Sequence, residues 1–464
     1  MSEINRSKTR KKGKWNFIPG ILIIIVLAGV PALFLKLQAI RSGMPVSTVI
    51  KRILNRVGEK DKVSGTSASG QGNEKISFLD PMPIGDNYIE APLISNLVVT
   101  DLDKDGLPDV AVCDARKNTV SWIRQYPADK YTEIVIADSL IAPAHIQIAD
   151  FDGDGDNDIM VAVLGLLFPS NDKIGTVILL ENDGSCHFKK HIAEEKIARV
   201  SDVRAGDLDG DGDMDLAVAQ FGYDDGETRW IENKGDWKFE SHILQHLSGP
   251  INVEIVDIDK DGDSDLVTLV SQEWEEIYLY INDGKGNFRP ELIFGSSNED
   301  FGSSGIFMSD LDQDGDEDIL YTNGDAFDYI PPQGKPWHGI QWLENKGNYI
   351  FEYHRICDFI GAYNARPVDI DGDSDLDLFA VSAFNLWEKP ESQSFIWLEN
   401  TGGMNFTSHD ITNNPTHLIT IETGDFNGDG LIDMVTGGMH AYPPYNRMSR
   451  IMLWINNGNI LKKH

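Results

Sequence analysis

The sequence predicts an all-β fold, a seven-bladed β-propeller of four-stranded blades, preceded by one N-terminal transmembrane helix. Three observations predict it. A nine-residue acidic phrase, D-x-D-x-D-G-x-x-D, recurs seven times, starting at Asp101, Asp150, Asp207, Asp257, Asp310, Asp369 and Asp425. Each copy is flanked by short stretches that alternate apolar and polar residues, the period of a strand. Ahead of all of them, residues 17–35 form a 19-residue apolar run without a charge.

The N-terminal elements come first in chain order. At about 1.5 Å per helical residue the 17–35 run roughly spans a ~30 Å hydrocarbon core. Arg6, Lys8, Arg10, Lys11, Lys12 and Lys14 precede it against Glu3 alone, while only Lys36 and Arg41 follow within fifteen residues. That bias places a basic tail, residues 1–16, in the cytoplasm and the rest outside, in the periplasm or at the cell surface. The competing reading is a cleaved signal peptide, but KLQAIRSG offers no small-x-small cleavage site. Residues 36–73 read as a stalk: VSTVIKRILNRVG has the pattern of a short amphipathic helix, and SGTSASGQGN is a flexible linker by composition.

The folded part begins near Glu74 and runs to residue 464. Successive repeats are 49 to 59 residues apart, so residues 74–464 hold seven units with no remainder for a second domain. In each unit an alternating stretch (LVVT, HIQIA, INVEIV) precedes the acidic loop and a β-rich one (DVAVC, DLAVAQF, DLVTLV) follows. Next comes a strand ending in an Asn-x-Gly turn, as in RWIENKG, QWLENKG and IWLENTG, and then a closing stretch such as FESHIL or FEYHRI. Four strands per unit around a ring give one blade per unit. The last unit ends at LWINNGNILKKH with little chain left for an outer strand, and EKISFLD at 74–80 is expected to supply it.

Composition restricts the function. The chain has 40 Lys and Arg against 74 Asp and Glu, a formal charge of −34. This argues against nucleic acid, whose phosphates are bound by neutralising them. Only three cysteines occur, Cys113, Cys186 and Cys357, too few for a disulfide framework. The acidic loops offer another means of stabilisation. Carboxylates at positions 1, 3, 5 and 9 of a tight turn converge on one point, with Gly at position 6 allowing the turn, and such hard oxygens suit Ca²⁺. No His or Cys stands at a ligand position, which disfavours Zn²⁺ and Cu²⁺. An EF-hand would need Glu at position 12 and flanking helices.

Up to seven structural Ca²⁺ ions are therefore expected. The ligand sets are Asp101, Asp103, Asp105 and Asp109; Asp150, Asp152, Asp154 and Asp158; Asp207, Asp209, Asp211 and Asp215; Asp257, Asp259, Asp261 and Asp265; Asp310, Asp312, Asp314 and Asp318; Asp369, Asp371, Asp373 and Asp377; and Asp425, Asn427, Asp429 and Asp433. The sixth loop has Ser374 in place of Gly, and the seventh loses a charge at Asn427, so these two are expected to be the weakest sites. The alternative reading of any one copy is a solvated Asp-rich turn.

In these loops residues 74–464 resemble the FG-GAP/VCBS repeat family, whose calcium-binding β-propellers include the head of integrin α-chains; Phe301-Gly302 is the nearest trace of the Phe-Gly signature. The resemblance implies that the calcium loops join strands 1 and 2 on one face while ligands bind the opposite one. Asn96, His145, Asp202, Asn252, Gly305, Asn364 and Thr420, five residues before each loop, would then ring the upper mouth of the channel, or else cap blade-to-blade turns. The loops between strands 2 and 3 of blades four to seven are long and bring Trp274, Tyr329, Trp337, Trp387 and Tyr442 to the same face. These aromatics suit a sugar ring or a protein partner, or pack their own loops.

The expected function is a membrane-anchored extracytoplasmic binding or adhesion module for a glycan or protein ligand. Some relatives with this repeat cleave polysaccharides, so the alternative is a carbohydrate-active lyase or hydrolase using His145, His338, His440, Asp202 or Glu388. Basic residues for an acidic polysaccharide are limited to a few such as Lys335, Lys389 and Arg447.

Overall fold

In the computed structural model, residues 75–78, 80–272 and 274–461 are described, together with Ile50. Between 75 and 461 every regular element is a strand, and the strands form seven four-stranded antiparallel sheets and one two-stranded ribbon. Blade one is Ile94–Thr100, Asp109–Asp114, Thr119–Gln125 and Tyr131–Ala137, paired in that order from the inside outward. The innermost strands of blades two to seven are Pro143–Ala149, Val200–Gly206, Pro250–Val256, Ser303–Ser309, Ala362–Val368 and Leu418–Gly424.

The second strand of every blade is buried along its whole length. Each sheet is covered on both faces by neighbouring sheets, which explains runs such as DLVTLV that are apolar without interruption. Side chains alternate between the two neighbours. Leu216 and Val218 pack toward blade two, whereas Ala217 and Ala219 pack toward blade four. One apolar cluster fills each junction between adjacent blades, so the core is a ring of seven wedges. Burying a side chain such as Trp397, 1% exposed, stabilises the fold by about 3 kcal/mol.

The ring closes with N-terminal chain, in two pieces. Met82–Pro83 is the outer strand of blade seven, paired with Ile451–Trp454. Lys75–Phe78, inside the 74–80 stretch expected to close the ring, pairs instead with Asn456–Leu461 as the ribbon, with a register break between Ser77 and Phe78. Phe78 faces Asn456 as Phe406 faces Asn400 in blade six, so the N-terminal chain enters blade seven in the register of a native fourth strand. Beside this seam, Arg450 is 3% exposed and reaches Asp114 at 3.1 Å and Glu133 at 2.6 Å, tying blade seven to blade one.

The basic tail 1–16, the apolar run 17–35 and the 36–73 segment apart from Ile50 lie outside the described residues. Among the described residues no helix is long and apolar enough to cross a membrane. Cys113, Cys186 and Cys357 are all free thiols.

Candidate functional site

Each acidic loop leads from the first strand of its blade to the second, so all seven share one face of the ring. The carboxylates themselves fold the loop. In loop two, Asp150 Oδ2 accepts the Gly155 N–H at 3.0 Å, Asp152 Oδ1 that of Asp154 at 3.2 Å, and Asp154 Oδ1 that of Asp156 at 2.9 Å. Loop six repeats these bonds with Asp369, Asp371 and Asp373. Position 6 lies in the left-handed region throughout, so Ser374 is held at φ 79° where its equivalents are Gly.

Position 9 has a role that the spacing did not reveal. Asp109 Oδ2 accepts the Leu102 N–H at 3.2 Å, and its Oδ1 accepts the Gln125 N–H at 2.7 Å. In the other six blades the Oδ1 bond comes from Asn182, Asn233, Asn282, Asn345, Asn400 and Asn456, so this carboxylate pins the loop to the end of the third strand. Burial pushes Asp109, Asp158, Asp318 and Asp433 up to about 6, and Asp215, Asp265 and Asp377 up to about 7.

The loops fit a hard cation. Asp101, Asp103 and Asp109 bring ligand oxygens within 4.8 Å of one another, as do Asp150, Asp152 and Asp158, and Asp207, Asp209 and Asp215. Asp103 Oδ1, Asp150 Oδ1 and Asp310 Oδ1 are buried without a hydrogen-bond partner. Such oxygens are costly unless something positive meets them.

At the other end of the channel lies a cavity of about 450 Å³. Six of the seven residues expected at the upper mouth line it: Asn96, His145, Asn252, Gly305, Asn364 and Thr420; Asp202, fully buried, lies outside the lining, against His145. They also join neighbouring blades. Asn96 Oδ1 accepts the Ile146 N–H at 3.2 Å, and Asp202 Oδ2 accepts that of Val253 at 3.1 Å. His145 Nδ1 stands 2.8 Å from Asp202 Oδ1. Burial works to raise the Asp202 carboxyl, but Arg204 and His145 outweigh it and hold it below its ordinary value. Burial lowers the His145 imidazole, with Asp202 opposing. Asn252 Oδ1 and Thr420 Oγ1 are buried without a partner.

One step deeper is a charged layer that sequence reading overlooked. Arg204 meets Glu254 at 2.9 Å, and Arg366 meets Glu422 at 2.5 Å. These residues stand two positions after the mouth ring on the same strands, so the period of two was the signal for them. Residues from blades two, three and five cover the mouth, among them Leu167, Pro169, Phe221, Asp325 and Phe327.

The five aromatics from the long loops do not line this cavity. Trp274 donates from Nε1 to Ser248 Oγ at 2.9 Å, and Trp337 from Nε1 to Asp300 O at 2.7 Å, and both pack on junction cores. Tyr329 donates its hydroxyl to the Asp300 carboxylate under the Lys335 ammonium, 3.7 Å above its ring. Trp387 lies between Arg447 at 6.0 Å and His417 at 5.3 Å. Tyr442 packs 6.4 Å from Phe327, the side chain through which this group touches the cavity. Of the candidate acid/base residues, His145 and Asp202 meet. His338 and His440, buried outside the lining, are pushed by burial down to about 4, and Glu388 is exposed.

A family model described as an FG-GAP-like repeat matches residues 101–161, 207–268 and 369–436, which contain six of the seven loops. No curated protein matches the chain. Similar solved structures include two crystal structures of BBS1N in complex with ARL6DN, one soaked with lead and one with mercury. The first is 9% identical with a TM-score of 0.47, covering 83% of this chain and 98% of that one. The second is 8% identical with a TM-score of 0.47, covering 84% and 97%. The repeats at the matched positions and the seven blades around one channel make this chain an FG-GAP-repeat β-propeller.

Proposed function

We propose that this propeller is a calcium-stabilised binding module, held outside the cytoplasm by the 17–35 segment, that takes a glycan or protein ligand at the upper mouth of its channel. The observation that carries the reading is the cavity of about 450 Å³ to which all seven blades contribute residues. A rigid ring that mixes Asn, His, Gly and Thr at equivalent positions can recognise an irregular ligand. The unpartnered Asn252 Oδ1 and Thr420 Oγ1 are the polar groups that a ligand would satisfy. Tyr329, Trp337, Trp387 and Tyr442 set the shape of the surrounding rim. Calcium in the acidic loops stiffens the opposite face, and the orphaned Asp150 and Asp310 oxygens support it.

The test is a glycan array probed with the full chain in calcium, beside an Asn252→Ala/Thr420→Ala variant. Glycans bound by the wild type and at least tenfold more weakly by the variant support the reading. If the array is blank, crosslinking to surface or periplasmic proteins with the same pair tests a protein ligand. Binding retained by the variant would move the site away from the mouth.

A further inference from the structure

Seven residues hold equivalent places at the end of the third strands, immediately before the Gln or Asn whose N–H bonds the position-9 carboxylate. They are Arg124, Glu181, Glu232, Ile281, Glu344, Glu399 and Ile455. Four are acidic and two apolar. Blade one alone has a cation there.

Arg124 turns into its own loop. Its Nη2 lies 2.5 Å from Asp103 Oδ2 and 3.7 Å from Asp105 Oδ2, between positions 3 and 5 of the ligand set. Its guanidinium carbon sits 4.6 Å from the Tyr126 ring centre and 5.5 Å from that of Trp122, so aromatic faces hold the group in place. Among the described residues, no other Lys or Arg pairs with a carboxylate at position 1, 3, 5 or 9 of any loop. Lys104 and Lys260 come nearest, but they bond Asp156 and Asp316 at position 7 of the next blade's loop.

A guanidinium stays charged at any ordinary pH, and it competes with a divalent ion for the same oxygens. The two positive groups would also repel across the few ångströms of the loop. From this geometry we infer that Arg124 serves as the built-in cation of loop one, so the chain takes six calcium ions and not seven. The inference rests on the calcium reading of the other loops. It also moves the weakest site from the loops of Ser374 and Asn427 to one whose nonapeptide matches the pattern in full.

Equilibrium dialysis of the full chain in detergent against calcium alone counts the ions. Asp209→Asn in loop three should lower the count by one, whereas Asp103→Asn in loop one should leave it unchanged. Arg124→Gln should raise the count by one. It should also melt at lower temperature than wild type in chelator and recover in calcium, which shows that the variant folds. Equal losses for Asp103→Asn and Asp209→Asn, or a wild-type count of seven, would overturn the role of Arg124 alone. A count unchanged by either Asp substitution would overturn the calcium reading of the loops as a whole.

Discussion

On the loop face, all seven nonapeptides bond the position-6 N–H to the position-1 carboxylate, and each position-9 Asp accepts an N–H from the end of the third strand. At the channel mouth, the corresponding register position is Asn, His, Asp, Asn, Gly, Asn and Thr, and one bond to the next blade recurs: Asn96 accepts the Ile146 N–H and Asp202 that of Val253. The difference separates two requirements on one strand. Its lower end must terminate a sheet and gather charge, which only one residue pattern does. Its upper end only has to reach the channel axis, so its side chain is free to differ. Stability should therefore depend on the loop face and specificity on the mouth.

The largest effect expected from this contrast is on removing calcium. At ten times Kd each ion adds about 1.4 kcal/mol, so six sites contribute about 8 kcal/mol. Excess chelator should lower the melting temperature of the full chain markedly, with calcium but not equimolar magnesium restoring it. An unchanged melting curve would remove the energetic role of the loop face.

The next tests the ring itself. Arg450→Ala takes the buried guanidinium from the Asp114 and Glu133 carboxylates, leaving Glu133 only Lys117 at 3.5 Å as a cation, and should cost about 3–5 kcal/mol, read from the denaturant midpoint. A loss below 1 kcal/mol would show that strand pairing alone holds the seam.

A smaller effect comes from pH. Burial pushes His338 and His440 down to about 4 and His417 down to about 3. Unfolded histidine titrates near 6.5, so below that pH the unfolded chain takes up protons that the folded one refuses. Stability present above about 6.5 is then lost as pH falls toward 4, by about 2 kcal/mol per histidine at pH 5. The drop in denaturant midpoint between pH 7.5 and pH 5 should be smaller for His440→Asn. Equal drops would mean that His440 is already accessible to protons.

Ser374→Gly should be the mildest change. It relieves a side chain at φ 79° but also frees the unfolded chain, for a net gain of about 0.5–1 kcal/mol. A loss of stability would show that the Ser374 side chain contributes to loop six.

The blade plan was legible because its signals are local. The Asp spacing marks the loops, Asn-x-Gly marks the third turn, and unbroken runs such as DLVTLV mark strands covered on both faces. The ring of mouth residues followed from counting back along one strand, and the structure places six of the seven on one cavity, with Asp202 buried behind His145. Relations across blades were not legible. Arg204 and Glu254 lie 50 residues apart in sequence and meet only because adjacent strands bring them into one layer. Nor could the sequence show that Trp337 satisfies its indole N–H on Asp300 O and turns its ring into its own loop. An aromatic in a long loop has the same signature whether it faces a ligand or packs beneath it.

The two-piece closure has a mechanical consequence. Because Lys75–Phe78 and Met82–Pro83 are the first strands among the described residues, tension applied from their N-terminal side reaches blade seven before any other blade. Four residues paired with Asn456–Leu461 and two paired with Ile451–Trp454 carry that load, backed by the Arg450 contacts behind them. A pull would thus open the circle at one point and leave an arc of folded blades, with the clasp acting as a mechanical fuse.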